Sequence, residues 1–190
     1  MKVDKIDRRV KYTTSLLKES LVRLMQTKPI SKISVKMLCE DADINRSTFY
    51  AHFDDQYGLL RSLENEVITN FKKYLSDNVM HEQPETTVLV IKQLLDYAAE
   101  DTDLLKVLLS DNSDMEFQKA LMSIVQEQLI SNLRNDKSFD ERTFEYLQCF
   151  VITGALKILQ KWIQDGTLES TQEIAELISN LLSKGISCYL

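Results

Sequence analysis

The chain has 190 residues, 44% of them apolar and 27% charged, with a formal charge of −6. That is enough chain to bury an adequate core, either as one domain or as a small module joined to a larger one. Four Gly and two Pro are few for this length, no apolar run approaches the ~20 residues that cross a bilayer, and the opening MKVDKIDRRVKYTT lacks the apolar core of a secretion signal. The expectation is therefore a nearly all-α, cytoplasmic protein with no membrane segment. Cys39, Cys149 and Cys188 are far apart, odd in number and in no ligand spacing, which argues against a disulfide framework or a metal site. Cys188, near the chain end, is the thiol to consider for redox activity.

In chain order, Leu16, Leu17, Leu21, Leu24 and Met25 recur at helical spacing from Lys11 to Met25, and Lys28-Pro29 ends the pattern. Ser31 and Ser34 are candidate N-caps for a short second helix with Val35, Leu38 and Cys39 on its apolar side. The segment EDADIN interrupts it, and Asn45 can cap a third short helix from Arg46 to about His52. Asp54-Asp55 opens a long amphipathic helix to about Ser76, two carboxylates being favoured at a helix N-terminus. SDNVMHEQPETT reads as the principal loop. Further helices are expected at about 85–100, 103–111, 114–135, 140–164 and 169–187, with breaks at Asp101-Thr102, Asp111-Asn112, Asp136-Lys137 and Asp165-Gly166.

Charge divides the chain unevenly: residues 1–55 hold eleven Lys/Arg against eight Asp/Glu, and residues 56–190 hold twelve against twenty-one. A polyanion would meet the N-terminal part. There, two short helices and a tight turn make a helix-turn-helix, whose second helix can lie in a major groove about 12 Å wide. Val35, Leu38, Ile44, Phe49 and Phe53 can form its small core, while Asn45, Arg46, Ser47, Thr48, Tyr50 and His52 project outward. Arg46 suits bidentate pairing with guanine, Thr48 offers a hydroxyl and a methyl, and Tyr50 and His52 suit phosphate oxygens.

The string ISVKMLCEDADINRSTFYAHFDDQYGLL resembles the helix-turn-helix of the TetR family of bacterial repressors, whose usual form runs roughly T-V-x-x-I-A-x-x-A-G-V-S-x-x-T-x-Y-x-H-F-x-x-K-x-x-L. Matching positions are Ser34, Val35, Leu38, Ala42, Ile44, Asn45, Thr48, Tyr50, His52, Phe53, Leu59 and Leu60. Asp43 stands at the usual turn glycine and Gln56 at the common lysine, while Asn45 matches the usual serine as an equally good cap rather than in identity. Aspartate can adopt a left-handed backbone at modest cost.

The resemblance implies a TetR-like fold of about nine helices, with a DNA-binding head at 1–55 and a helical effector-binding and dimerisation domain at 56–190. It implies a homodimer through helices 140–164 and 169–187, a palindromic operator in double-stranded DNA, and DNA contacts from Ser34, Lys36, Asn45, Arg46, Ser47, Thr48, Tyr50 and His52. The protein would then be a ligand-responsive regulator of transcription, most simply a repressor. The alternative is a helical adaptor or co-activator of the same fold that has lost effector or DNA binding.

In the body, Phe144, Leu147, Val151, Ala155, Ile158, Leu159 and Trp162 form one stripe, and Ile174, Leu177, Ile178, Leu181 and Leu182 another. Gly154 and Ala155 would allow a partner helix to come close. Tyr74, Tyr97, Phe117 and Phe150 are candidate lining for a small apolar or aromatic effector. His52 and His81 are the only histidines, and no P-loop, dinucleotide motif or nucleophile elbow is present. The chain therefore reads as neither an enzyme nor a holder of any metal or cofactor.

Overall fold

The computed structural model of the chain describes residues 2–78, 87–110, 115–130 and 140–185. Among these residues it is all-helical: α1 Lys2–Met25, a 3₁₀ turn Ile30–Lys32, α2 Val35–Asp41, α3 Arg46–Tyr50, α4 Gln56–Asn78, α5 Thr87–Glu100, α6 Thr102–Leu108, α7 Met115–Ile130, α8 Glu141–Gln164 and α9 Thr171–Lys184. No described helix is long and apolar enough to cross a membrane. The expected breaks at 111–112 and 136–137, Cys188 and most of the expected loop at 76–87 lie outside the described residues.

The first helix begins nine residues before the expected Lys11, where Val3, Ile6 and Val10 continue its apolar spacing among charges. Ser34 caps α2 as expected, its hydroxyl accepting from the Met37 amide at 3.3 Å. Ser31 does not act as a cap; it lies inside the 3₁₀ turn. Asp55 caps α4, its Oδ1 accepting from the Gly58 amide at 2.7 Å.

The chain divides into two compact units, Met1–Val67 and Ile68–Leu190. The opening half of α4 belongs to the first unit, where Leu59, Leu60, Leu63 and Val67 are buried, as are Leu17, Leu21, Ile33, Leu38 and Phe49. Each such side chain contributes about 1.5–3 kcal/mol of burial. α1 packs on α2, and α2 on α3. Polar contacts fix the arrangement. Arg23 donates to Asp41 from Nη2 at 2.8 Å and from Nε at 3.2 Å, the buried Ser20 hydroxyl donates to the Leu38 carbonyl at 3.2 Å, and Lys18 pairs with Glu66 of α4.

In the second unit α5 packs chiefly on α9, and α7 on both α5 and α8. The buried Gln160 amide donates to the Leu109 carbonyl at 2.8 Å, tying α8 to the end of α6. α8 turns Ile152, Leu156, Trp162 and Ile163 inward, so apart from Trp162 the stripe expected from Phe144 to Leu159 is left half-buried or, at Leu147, exposed. Apolar residues occur on more than one side of this helix, and periodicity alone does not say which side meets the core.

Candidate nucleic-acid interface

The turn between α2 and α3 is what presents the third helix. Asp43 takes the left-handed backbone, φ 52°, and the Ile44 amide donates back to the Cys39 carbonyl at 2.9 Å. Asn45 then caps α3, its Oδ1 accepting from the Ser47 amide at 3.3 Å while its carbonyl accepts from Thr48 and Phe49. Phe49 is fully buried and anchors the helix. Its ring lies edge-on to Tyr50 at 5.6 Å and tilted against Phe53 at 5.8 Å.

With Phe49 turned in, the remaining side chains have no choice of direction. Asn45, Arg46, Ser47 and Tyr50 are exposed, Tyr50 to 58%, while Thr48 and His52 are half-buried. Of the expected core residues, Leu38 and Phe49 are fully covered and Val35, Ile44 and Phe53 half-covered.

Ser34, Lys36, Arg46 and Tyr50 of the eight expected residues meet at one groove of about 430 Å³. Lys32 from the 3₁₀ turn, which sequence reasoning did not select, and Gln56 from the start of α4, noted there only as a departure from the motif, also line it. No carboxylate lines the groove. Asn45 spends its side-chain oxygen on the cap, and Ser47, Thr48 and His52 sit outside the groove on the same short segment.

Electrostatics around the interface follow from these contacts. The Arg23 hydrogen bond holds the Asp41 carboxyl below its ordinary range, and burial pushes the Cys39 thiol up, Arg46 opposing the shift. Lys36 faces Glu40 at 3.6 Å in an exposed i,i+4 pair, which is worth only a few tenths of a kcal/mol.

The expected effector residues are only partly gathered. Tyr97 stacks against Phe71 at 4.9 Å and Tyr74 at 5.3 Å, and burial raises the Tyr74 hydroxyl, with Asp96 and Glu100 adding to the shift. Beside them Asp96 accepts from Lys92 and from the Thr171 hydroxyl, both at 2.6 Å. Phe117 is buried on α7. Phe150 does not join this interior, because α8 presents it outward at 76% exposure. Among the described residues no group of His, Cys, Asp and Glu could hold a metal ion.

A TetR C-terminal family model, described as "Transcriptional regulator C-terminal region", matches residues 85–184. A search of curated proteins finds no match. Among solved structures, a TetR transcriptional regulator from Streptococcus agalactiae 2603V is 19% identical with a TM-score of 0.68, covering 95% of this chain and 98% of its own. A TetR-family regulator from Bordetella parapertussis 12822 is 17% identical with a TM-score of 0.71, covering 93% and 97%. FadR from Bacillus subtilis, solved with stearoyl-CoA, is 16% identical with a TM-score of 0.67, covering 90% and 98%. The chain belongs to the TetR family of transcriptional regulators, and its fold is TetR-like.

Proposed function

We propose that this regulator is a cytoplasmic homodimer that binds a palindromic operator through residues 1–55 and acts as a repressor released by a small apolar or aromatic effector. The observation that carries the reading is the outward face of α3, anchored by Phe49, beside a groove with three cations and no carboxylate. Arg46 and Thr48 read bases; Ser34, Lys36, Ser47, Tyr50 and His52 hold the backbone, and Asn45 sets the start of the reading helix.

Dimerisation is assigned to α8 and α9. In support, α8 exposes Tyr146, Leu147 and Phe150, and one turn on, a side chain added at Gly154 would meet nothing within 4 Å. The effector is placed near Tyr74, Tyr97 and Phe117, supported by the aromatic cluster there and by the stearoyl-CoA that the Bacillus subtilis FadR holds on a similar fold. α4 runs unbroken from Gln56 to Asn78, so a ligand that shifts Tyr74 acts on the same helix that carries Leu59 and Leu60. A ligand that weakens DNA binding must itself bind the DNA complex less tightly by the same factor.

An electrophoretic shift of the DNA upstream of the protein's own gene tests the reading, with a retarded band expected and competition by its palindromic segment. No shift at any protein concentration would favour the adaptor or co-activator instead. Within a bound operator, Arg46→Ala and Thr48→Ala are expected to relax base preference by about 1–3 kcal/mol per altered contact, and Tyr50→Phe and His52→Ala to weaken all sites alike. A preference profile unchanged by both Arg46→Ala and Thr48→Ala would remove the base-reading assignment.

A further inference from the structure

Lys32 has no place in the motif that points to the third helix, yet the fold delivers it to the same groove. It ends a 3₁₀ turn closed by the Lys32 amide donating to Pro29 at 2.9 Å and the Ile33 amide to Ile30 at 3.1 Å. The next residue, Ile33, is 2% exposed and pins that turn to the head, so the backbone carrying Lys32 is fixed even though its side chain is long. Tyr50 of α3 and Gln56, the first residue of α4, line the same groove. Lys36 of the same groove lies 3.6 Å from Glu40, but Lys32 forms no ion pair with any described residue. Gln56 brings an amide donor and no charge. Asp55, beside it, has its Oδ1 engaged by the Gly58 amide.

Resting on the DNA-binding reading above, we propose that Lys32, the Tyr50 hydroxyl and the Gln56 amide form a seat for one phosphodiester of the duplex backbone. The ammonium supplies the charge and the two neutral donors the direction. A phosphate there would complete a cationic groove that no carboxylate opposes. The cation of this seat thus comes from the turn before α2, not from the start of α4.

The test uses a labelled 30-base-pair duplex of random sequence and the full chain, with affinity measured by fluorescence anisotropy between about 50 and 200 mM NaCl. One lost phosphate contact lowers the log–log salt slope by about 0.9 per head, about 1.8 for two. Over that fourfold salt range, Lys32→Ala should therefore lose about 12-fold less affinity than the unaltered dimer. Lys106→Ala, an exposed lysine of α6, should leave the slope unchanged. Gln56→Lys added to Lys32→Ala should restore it, because a cation returns to the same seat. Melting temperatures matching the unaltered protein confirm that these changes leave the fold intact.

An unchanged slope in Lys32→Ala, where Lys36→Ala lowers it, would overturn the seat while leaving DNA binding standing. A double variant that stays at the lowered slope would overturn the sharing of the seat with Gln56. Replacing chloride by inorganic phosphate at matched ionic strength separates the two phosphate sources: unaltered affinity supports a seat for the polymer backbone, and a loss that Lys32→Ala abolishes would assign the seat to free phosphate instead. Absence of any salt-dependent duplex binding by the unaltered protein would end the DNA-binding reading itself, a result distinct from losing the Lys32 effect alone.

Discussion

Single residues in the left-handed region tell how this chain makes its corners. Asp43, φ 52°, turns α2 into α3, and Thr167, φ 53°, follows Gly166 at φ 88° after α8. A side chain with a Cβ costs about 1–2 kcal/mol there, aspartate less and a β-branched residue more. Asp43→Val should therefore lower stability by about 1–2 kcal/mol, while Thr167→Asn should raise it by about 0.5–1 kcal/mol, read from urea midpoints. A stabilising Asp43→Val would mean that the turn is not left-handed in solution. Phe49→Ala, at a fully buried ring, should cost about 3–5 kcal/mol. The direction of Asp43 was legible in the sequence because the turn and its flanking apolar residues are local. Lys32 was not, since its meeting with Gln56 depends on tertiary packing across 24 positions of chain.

At the scale of elements, caps were the most legible feature. Ser34 and Asn45 bond amides only two or three residues away, so the sequence alone contains both partners. The same holds for a cap that sequence reading did not single out. Ser170 at the start of α9 accepts from the Glu173 amide at 3.2 Å, and Glu173 accepts from the Ser170 amide at 2.8 Å. Ser170→Ala should cost about 1 kcal/mol. The Ser170 amide also holds the Glu173 carboxyl below its ordinary range. With its folded value depressed, the contribution is present above the ordinary glutamate range, about 4.3, and is lost as pH falls through the folded value. Glu173→Gln should flatten the fall of melting temperature with acid, and an equal fall in both proteins would show that the box does not form. Less legible was the inward face of α8. Ile152, Leu156 and Ile163 meet the core, but Leu147, Val151 and Ile158 had equal claim by period, and only packing against α6, α7 and α9 decides between them.

For the whole molecule, charge segregation and helix order were readable from sequence, because composition and break residues report them directly. Which surfaces stay open was not readable: an aromatic at helical spacing looks the same whether it fills a core or faces out, as Phe117 and Phe150 do. The open face of α8 gives the prediction at this scale. The unaltered protein should sediment at about 44 kDa, twice the chain's 22.0 kDa. Phe150→Asp, a change at a residue already exposed, should yield folded monomers. Two heads in such a dimer would engage half-sites about 34 Å apart on one DNA face. A dimer unaffected by Phe150→Asp would remove this face from the interface.

Trp162 is the only tryptophan of the chain. It lies 3% exposed, and its indole nitrogen donates to the Glu169 carbonyl at 2.8 Å across the turn between α8 and α9. The protein therefore carries its own optical probe, placed in the second unit alone. An indole so enclosed emits toward the blue, and any event that loosens the turn, such as a bound ligand or a parting of subunits, moves the emission toward the red and opens it to soluble quenchers. Unfolding confined to Met1–Val67 would leave that spectrum unchanged, so one unlabelled sample can tell which unit has responded.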